Sequence, residues 1–210
     1  MKKFAALIIF LLVFGTVVTA TPLPTIGQWL ITKDLQPGNW LDQKYRGKEM
    51  REPLNVVIID RLSKNAAEAK TRVAIACEQA GYKSRWGHSS GYKGEIAGVL
   101  YEQISPKDFH AFSDRIFLFS NNHGRIFGPA KIDNKFYFVA AFSREVVDYL
   151  KISEIHQFGS FDQARDNFSW SLDNKSEFKV IGFEGLGNTI INDPKLTTGD
   201  HDGLAVVLGN

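Results

Sequence analysis

The hydrophobic pattern divides the chain into short apolar runs separated by turn residues. The run LNVVIID at residues 54–60 is apolar and β-branched, which is typical of a buried strand. Residues 66–80 are rich in Ala, Glu, Lys and Arg, and they predict a helix that ends at Gly81. Residues 82–86 predict a returning strand, so this part of the chain is expected to form a β-α-β unit.

The middle of the chain is expected to consist of strands and loops. We predict strands at residues 96–104 and 115–120, followed by a loop at 121–129 that contains two glycines and a proline. The run KFYFVAAF at residues 135–142 combines aromatic and β-branched side chains and is the most strand-like segment of the sequence. The pair DN at residues 133–134 suits a hairpin turn in front of it.

A second strand-helix-strand passage follows. Residues 163–172 place apolar side chains at four-residue steps on one face, which predicts a helix, and residues 177–183 and 204–208 predict strands. Two helices within a mainly stranded chain predict an α+β fold. We expect a two-layer sandwich in which a mixed or largely antiparallel sheet carries the two main helices on one face.

The first twenty residues have the pattern of a secretory signal peptide. Lys2 and Lys3 precede an apolar core at residues 4–18, and small residues close the segment at 18–20. This core is shorter than the roughly 20 residues that a bilayer-spanning helix needs. We therefore expect an exported protein, periplasmic or secreted, with no stable membrane span after signal cleavage. An uncleaved N-terminal anchor is the alternative.

The rest of the chain is divided by its prolines and its charge. Residues 21–52 contain three prolines and are expected to form an N-terminal extension, whereas residues 53–210 are expected to form a single α+β domain. The whole chain has 25 basic and 23 acidic residues, and loss of the two signal lysines leaves 23 of each. A neutral chain without blocks of like charge gives no electrostatic reason to bind nucleic acid or an anionic lipid surface.

Three short motifs occur in an order that is typical of one family. They are PLNVVI at residues 53–58, EQAGY at 78–82, and FVAAFSR at 138–144 followed by His156 and FDQARDN at 161–167. Over about residues 53–173 the chain thereby resembles the LssY-type C-terminal domain, a bacterial family without an assigned activity. The resemblance implies an envelope setting and supplies no catalytic residues. Members of the family are usually attached to integral-membrane segments, whereas this chain carries only the signal.

Two polar regions contain the candidate functional residues, HSSGY at residues 88–92 and NNHGRIFGP at residues 121–129. Their glycines allow the backbone to approach a ligand closely. A histidine can act as a general base, and an arginine can hold an anion. The candidates are therefore of two kinds, catalytic (His88, His123 and Arg125) and ligand-binding (Tyr92, Asn121 and Asn122).

A structural role for these residues is the favoured interpretation from the sequence. Asn121 or Asn122 would hold a turn, and Arg125 would bind backbone carbonyls. A hydrolase or metal site becomes the better interpretation if the two histidines converge with Asp114 or His156, which sequence spacing does not establish.

No metal or cofactor site is predicted. None of the five histidines forms the i, i+4 pair of a zinc-binding helix. The string DHDG at residues 200–203 offers oxygen ligands, but a polar turn before a strand is the favoured interpretation. The run GFEGLG at 182–187 lacks the following helix pattern of a dinucleotide fingerprint. The single Cys77 excludes an intramolecular disulfide and is expected to be buried as a small hydrophobe.

Three functions remain open from these patterns, and the weakest of them is a secreted factor that acts on another cell. The leading interpretation is a binding or accessory module of the cell envelope, whose partner is an unknown envelope component or a small ligand. The alternative is a small secreted or periplasmic hydrolase that uses His88, His123 and Arg125. One concave pocket that holds all three side chains near an acid would favour the enzyme, and side chains that point apart would favour the binding module.

Overall fold

The computed structural model describes residues 22–45, 48–105, 107–151, 155–190 and 200–210. Within these ranges the chain forms an α+β fold with two helices and twelve strands. No helix of the described ranges is long and apolar enough to cross a bilayer. The signal-peptide segment, residues 1–20, lies outside the described residues, so its assignment stays a prediction.

The two helices occur at separate places among the twelve strands of the described residues. The helices are α1 (Ala66–Gln79) and α2 (Phe161–Lys175). The strands are β1 (Asn39–Tyr45), β2 (Lys48–Arg51), β3 (Val56–Asp60), β4 (Lys83–Trp86), β5 (Lys93–Ile96), β6 (Val99–Glu102), β7 (His110–Ser113), β8 (Asn121–Ile132), β9 (Lys135–Val147), β10 (His156–Ser160), β11 (Lys179–Gly185) and β12 (Leu204–Gly209).

Eight of the strands form one mixed sheet. Seven lie in the order β11-β12-β3-β9-β8-β7-β4, and β10 pairs with β9. Only β12 and β3 run parallel, so the sheet of the described residues is largely antiparallel, as predicted. The long strands β8 and β9 are joined by Asp133 and Asn134, whose positive φ angles of 47° and 61° confirm the predicted hairpin turn.

Both helices begin at polar caps and share one apolar core with the sheet. The side chain of Asn65 accepts a hydrogen bond from the Glu68 amide at the start of α1, and Ser160 accepts one from Gln163 at the start of α2. The residues of this core include Val73, Cys77, Phe168 and Leu172 of the helices and Ile126, Phe138 and Phe142 of the sheet. Cys77 is fully buried, as predicted, and burial raises the pKa of its thiol.

The opposite face of the sheet is also covered. Ile26 and Leu30 of the N-terminal segment pack with Ile96 of the β5–β6 hairpin against Phe127 and Val139. Main-chain hydrogen bonds link this segment to the hairpin, for example from the amide of residue 27 to the carbonyl of residue 95. The segment predicted as an extension therefore contributes fully buried side chains, while its boundary at residue 52 stays a prediction.

Several boundaries of the sequence interpretation are wrong in the middle of the chain. Residues 96–104 are not one strand, because Ala97 and Gly98 adopt positive φ angles and turn the chain into the β5–β6 hairpin. Residues 115–120 form turns instead of a strand. The predicted β-α-β unit is split, since β4 lies at the sheet edge with three strands between it and β3.

The most consequential error concerns residues 121–129, which were expected to form a loop. They form the first part of β8. Residues 121–125 are polar or glycine on both faces of the strand and are nevertheless buried, so the alternation of apolar and polar residues that predicts a strand is absent. Gly128 and Pro129 lie at an irregularity of the β8–β9 pairing, where a proline is tolerated within a sheet.

Gly124 is required by the close approach of an aromatic ring. It pairs with Phe142 across β8 and β9, and a Cβ atom there would lie 2.5 Å from the Phe142 ring and 2.6 Å from the carbonyl oxygen of Ala141. We expect Gly124→Ala to lower the free energy of unfolding by about 1–3 kcal/mol, because the ring must move within a packed core. Urea denaturation followed by circular dichroism measures this change.

The matched control for that substitution is Gly182→Ala on β11. No atom lies within 4 Å of a Cβ at this position, and its φ angle is not positive. We expect stability to stay the same or to rise by about 0.4–1 kcal/mol. Equal losses from the two substitutions would show that the contact with Phe142 is not the reason for Gly124.

Candidate functional site

The polar ends of β8 and β9 face away from the helices. Ile126 belongs to the helix-side core and Phe127 to the opposite core, so alternation along β8 places residues 121, 123 and 125 on the face opposite the helices. The register pairs Asn121 with Glu145 and His123 with Ser143. Four polar side chains of two adjacent strands therefore stand side by side on a buried surface.

Two of these side chains, His123 and Glu145, line a cavity of about 290 Å³. The size suits a small ligand or one group of a larger one. The cavity draws its lining from β1, β8, β9 and β10 and from the segments that follow β2, β4 and β7. The lining residues are Trp40, Glu52, Gly87, His88, Ser89, Phe117, His123, Arg125, Glu145 and His156.

A chain of close polar contacts connects two histidines of the cavity. Nδ1 of His156 lies 2.6 Å from Oε1 of Glu145, and Oε2 of Glu145 accepts from Nδ2 of Asn121 at 3.1 Å. The same Nδ2 donates to the carbonyl oxygen of Phe119. Two acceptors therefore fix the orientation of the Asn121 amide, and its Oδ1 atom faces Nδ1 of His123 at 2.9 Å.

The orientation of that amide determines the tautomer of His123. Because Oδ1 of Asn121 can only accept, Nδ1 of His123 carries the proton. The unprotonated Nε2 then faces Oγ of Ser143 at 3.4 Å. Nε1 of Trp40 donates to the same Oγ at 3.0 Å, which leaves the Ser143 hydroxyl proton for His123. A side chain of β1 thereby helps to orient a histidine of β8.

Arg125 fastens the segment that carries His88 to the sheet. Its Nε and Nη2 atoms donate to the carbonyl and hydroxyl oxygens of Ser89, and its Nη1 atom lies 3.3 Å from Oε2 of Glu52. Its guanidinium also stands 4.7 Å from the centre of the Tyr92 ring, within the range of a cation–π contact. The structural role that the sequence suggested for Arg125 is thus present beside its place in the cavity wall.

Burial keeps the two adjacent histidines neutral. The rings of His88 and His123 lie 4.4 Å apart between centroids. Desolvation by burial, assisted by the positive charge of Arg125, lowers the pKa of His88 to about 3. Desolvation also lowers the pKa of His123 well below its usual value, and His88 adds to the effect. Within the described residues Nε2 of His88 is buried and makes no hydrogen bond.

Burial has the opposite effect on the acid beside Arg125. Glu52 is buried, and its desolvation raises the pKa of the carboxyl group, although the nearby Arg125 lowers it in part. The protonated and the ionised forms of Glu52 are therefore closer in free energy than they would be in water. The cavity wall thus contains a carboxyl group that can exchange a proton nearer to neutral pH than an exposed glutamate.

The structure brings together all three candidate catalytic residues. His88, His123 and Arg125 line the same cavity, and His156 joins them through Glu145. Of the ligand-binding candidates, Asn121 holds His123, and Tyr92 packs against Arg125.

Two further candidates lie on the other face of the sheet. Asn122 alternates with the cavity residues, and its amide donates to Asp114 at 2.7 Å while its Oδ1 atom accepts from Arg144. Asp114 also accepts from the Asn122 main-chain amide. Neither residue lines the cavity, so of the two residues with which the histidines could converge, the cavity brings His156 to them and not Asp114.

No family model, curated protein or solved structure matches this chain. The chemistry of the site therefore rests on its own geometry.

A separate cluster contains the acidic string that the sequence showed near the C-terminus. Among the described residues, Asp162, His201 and Asp202 are the group whose possible metal-ligating atoms lie within 4.8 Å of one another. Arg165 lies 3.1 Å from Asp162 and 2.6 Å from Asp202, so its guanidinium forms an ion pair with both carboxylates. Both ring nitrogens of His201 face protein oxygens, those of Asp162 and Asn188. This cluster is an ion-pair network that joins α2 to β12.

The sequence interpretation missed Glu52 and Glu145 as members of the site. Glu145 continues the two-residue alternation of β9 beyond the apolar run, with Ser143 before it, and this polar end of a buried strand was the available signal. Glu52 lies in the segment that was assigned to the extension, where no pattern connects it to Arg125. Its contribution depends on long-range packing.

Proposed function

We propose that this chain is an exported envelope protein and that its cavity is the active site of a small hydrolase. The observation that carries the enzymatic part is the 2.6 Å contact between Nδ1 of His156 and Oε1 of Glu145 in the cavity wall. Export rests on the signal-peptide pattern of residues 1–20. The resemblance to the LssY-type domain supports an envelope setting and assigns no residue a role.

In this proposal His156 acts as a general base. Its Nδ1 atom lies beside the Glu145 carboxylate, so we assign Nε2 as the nitrogen that takes the proton, and the carboxylate stabilises the imidazolium that forms. His156 takes a proton from a water molecule while the water oxygen bonds to a carbonyl or phosphoryl centre. The bond to the leaving group then breaks, and the proton on His156 passes to that group.

The other residues of the cavity hold and complement this reaction. Arg125 supplies a positive charge beside the place where negative charge develops on the substrate. Neutral His88 offers a polar ring atom with no other hydrogen bond in the described chain. Asn121 links the two halves of the site, because it contacts both Glu145 and His123.

We also propose that the fold is a two-layer sandwich, in which α1 and α2 form one layer and the eight-stranded sheet forms the other. The core that both helices share with one sheet face supports this description. The N-terminal segment and the β5–β6 hairpin then act as a cover on the second face, where the cavity lies.

The test is hydrolysis of chromogenic substrates by the mature chain. A panel of p-nitrophenyl carboxylic esters, phosphate monoesters and phosphate diesters covers both electrophile classes. For any substrate that is turned over, we expect Glu145→Gln and His156→Gln each to lower kcat by about 10²-fold or more, because each removes part of the general base. Circular dichroism checks that each variant is folded.

The control is His110→Gln, since His110 lies on the neighbouring β7, bonds to Ser84 and does not line the cavity. It should retain the kcat of the unmodified chain. No turnover of any member of the panel, or equal losses in all three variants, would overturn the hydrolase.

A binding module is the second candidate. The observation that favours it is that three donor atoms of Arg125 already bond to protein groups, and that the hydroxyl of Ser89, the one hydroxyl residue among the described lining residues, accepts one of these hydrogen bonds. Calorimetric titration with acetate, butyrate and inorganic phosphate distinguishes the two functions. Saturable binding that Arg125→Met abolishes, without hydrolysis of the corresponding esters, would assign the cavity to binding.

A further inference from the structure

Large apolar side chains stand exposed beside the cavity. Six of them have between 46% and 93% of their surface accessible, and we name them the apolar rim: Trp86, Phe109, Leu118, Phe119, Tyr149 and Leu150. They come from the end of β4, the segment before β7, the turns before β8 and the segment after β9. Single exposed apolar residues are ordinary, but a contiguous group marks an interaction surface.

Contacts within the structure join these residues to one another and to the cavity. The rings of Trp86 and Phe117 lie 5.5 Å apart, and Phe117 in turn stacks on His156. The hydroxyl of Tyr149 donates to the carbonyl of Leu118. The amides of Gly87 and His88 both donate to the carbonyl of Phe109 at 3.1 Å. The rim therefore continues the cavity wall outwards.

The rim carries exposed basic residues. Lys83, Lys107, Arg115 and Lys151 lie exposed within the segments that form it. Of the acids in those segments, Asp114 bonds to Asn122, and Asp148 bonds to the Leu150 amide and lies half-buried. Asp108 is exposed. Among the described residues of these segments, four basic side chains but only one acidic side chain, that of Asp108, are exposed.

We propose that the apolar rim docks the protein onto an anionic phospholipid bilayer. Trp and Tyr rings are suited to the boundary between headgroups and acyl chains, and basic residues beside them are attracted to anionic headgroups. Docking brings the mouth of the cavity to the headgroup layer. If the cavity is hydrolytic, a point that rests on the function proposed above, its substrate is an amphiphile whose polar group enters the cavity while its tail stays in the membrane.

The experiment is cosedimentation of the mature chain with two kinds of vesicle, phosphatidylcholine alone and phosphatidylcholine mixed with phosphatidylglycerol. We expect binding to the mixed vesicles. The triple variant Trp86→Ser, Leu118→Ser, Leu150→Ser should lower the partition coefficient by about tenfold or more, because it removes three apolar anchors. The double variant Lys107→Glu, Lys151→Glu should lower binding to the mixed vesicles alone.

The matched control replaces three apolar residues that lie elsewhere and have between 49% and 63% of their surface exposed. It is Leu35→Ser, Trp170→Ser, Phe183→Ser, and it should bind the mixed vesicles as the unmodified chain does. Failure of the unmodified chain to bind either vesicle, or an equal loss in the control, would overturn the docking proposal. Self-association in sedimentation velocity that only the rim variant abolishes, without vesicle binding, would overturn it in favour of a protein interface.

Failure of this proposal is distinguishable from failure of the proposed hydrolase. Soluble p-nitrophenyl substrates need no membrane, and vesicle binding needs no turnover. A chain that hydrolyses the soluble esters without binding vesicles is a hydrolase without a docking surface. A chain that binds vesicles through the rim without turnover keeps the docking surface and loses the hydrolase.

Discussion

Phe168→Ala is expected to lower the free energy of unfolding by about 3–5 kcal/mol, the usual range for truncating a buried aromatic ring. Phe168 of α2 is fully buried. Its ring stacks on Phe142 of β9 at 3.8 Å between centroids and meets the edge of Tyr82 at 5.1 Å. Truncation removes both contacts and leaves a cavity between the helix layer and the sheet. Urea denaturation followed by far-ultraviolet circular dichroism measures the loss.

Trp170→Ala is the control, because it removes a larger ring from the same helix. About half of the Trp170 side chain is exposed, so we expect a loss of no more than about 1 kcal/mol. The contrast between the two substitutions tests which face of α2 packs on the sheet. A loss from Phe168→Ala no larger than that from Trp170→Ala would contradict the packing described here.

The elements that could be predicted from the sequence are those with a strong local signal. The run at 54–60 became β3, the Ala-rich segment became α1, and the aromatic run at 135–142 became the buried part of β9. In each case one residue type or period dominates a window of several residues. The order of strands in the sheet had no such signal, because it depends on contacts between distant segments.

The residues of the candidate site could be recognised from the sequence, but their position in the fold could not. His88, His123 and Arg125 were recognisable because their side chains carry chemistry and lie in polar, glycine-containing segments. Their position on a strand was not, because the polar face of β8 is buried against other polar groups and not against apolar ones. Sequence patterns predict burial from hydrophobicity. A buried polar surface, such as the one that Asn121 and Glu145 form, is therefore predicted as a loop.

The largest effect of pH on stability is expected from the two buried histidines. An unfolded chain binds a proton on each below a pH of about 6.5, whereas the folded chain does not, since the pKa values of His88 and His123 are lowered. The stabilising effect of the neutral rings is therefore present above pH 6.5 and is lost as the pH falls. The slope is about 1.4 kcal/mol for each histidine and each pH unit.

One acid of the cavity acts in the opposite sense. Burial raises the pKa of Glu52 above 4.5, against the effect of Arg125, so the folded chain binds this proton more tightly than the unfolded chain. Stability from Glu52 therefore increases as the pH falls towards 4.5, and it offsets at most one of the two histidines. Above pH 5 the net slope should still have the sign that the histidines give.

Between pH 6.5 and pH 5 we expect the free energy of unfolding to fall by about 2–4 kcal/mol, and to be almost constant between pH 7 and pH 8. His88→Gln should remove about half of the histidine slope. Phe168→Leu is the control for reduced stability, because it should lower the free energy at every pH without changing the slope. An unfolding free energy that is the same at pH 7 and pH 5, or a slope that His88→Gln leaves unchanged, would contradict neutral buried histidines. A reduced slope would show that the cavity holds imidazole rings as neutral groups, the form that a general base or a hydrogen-bond acceptor requires.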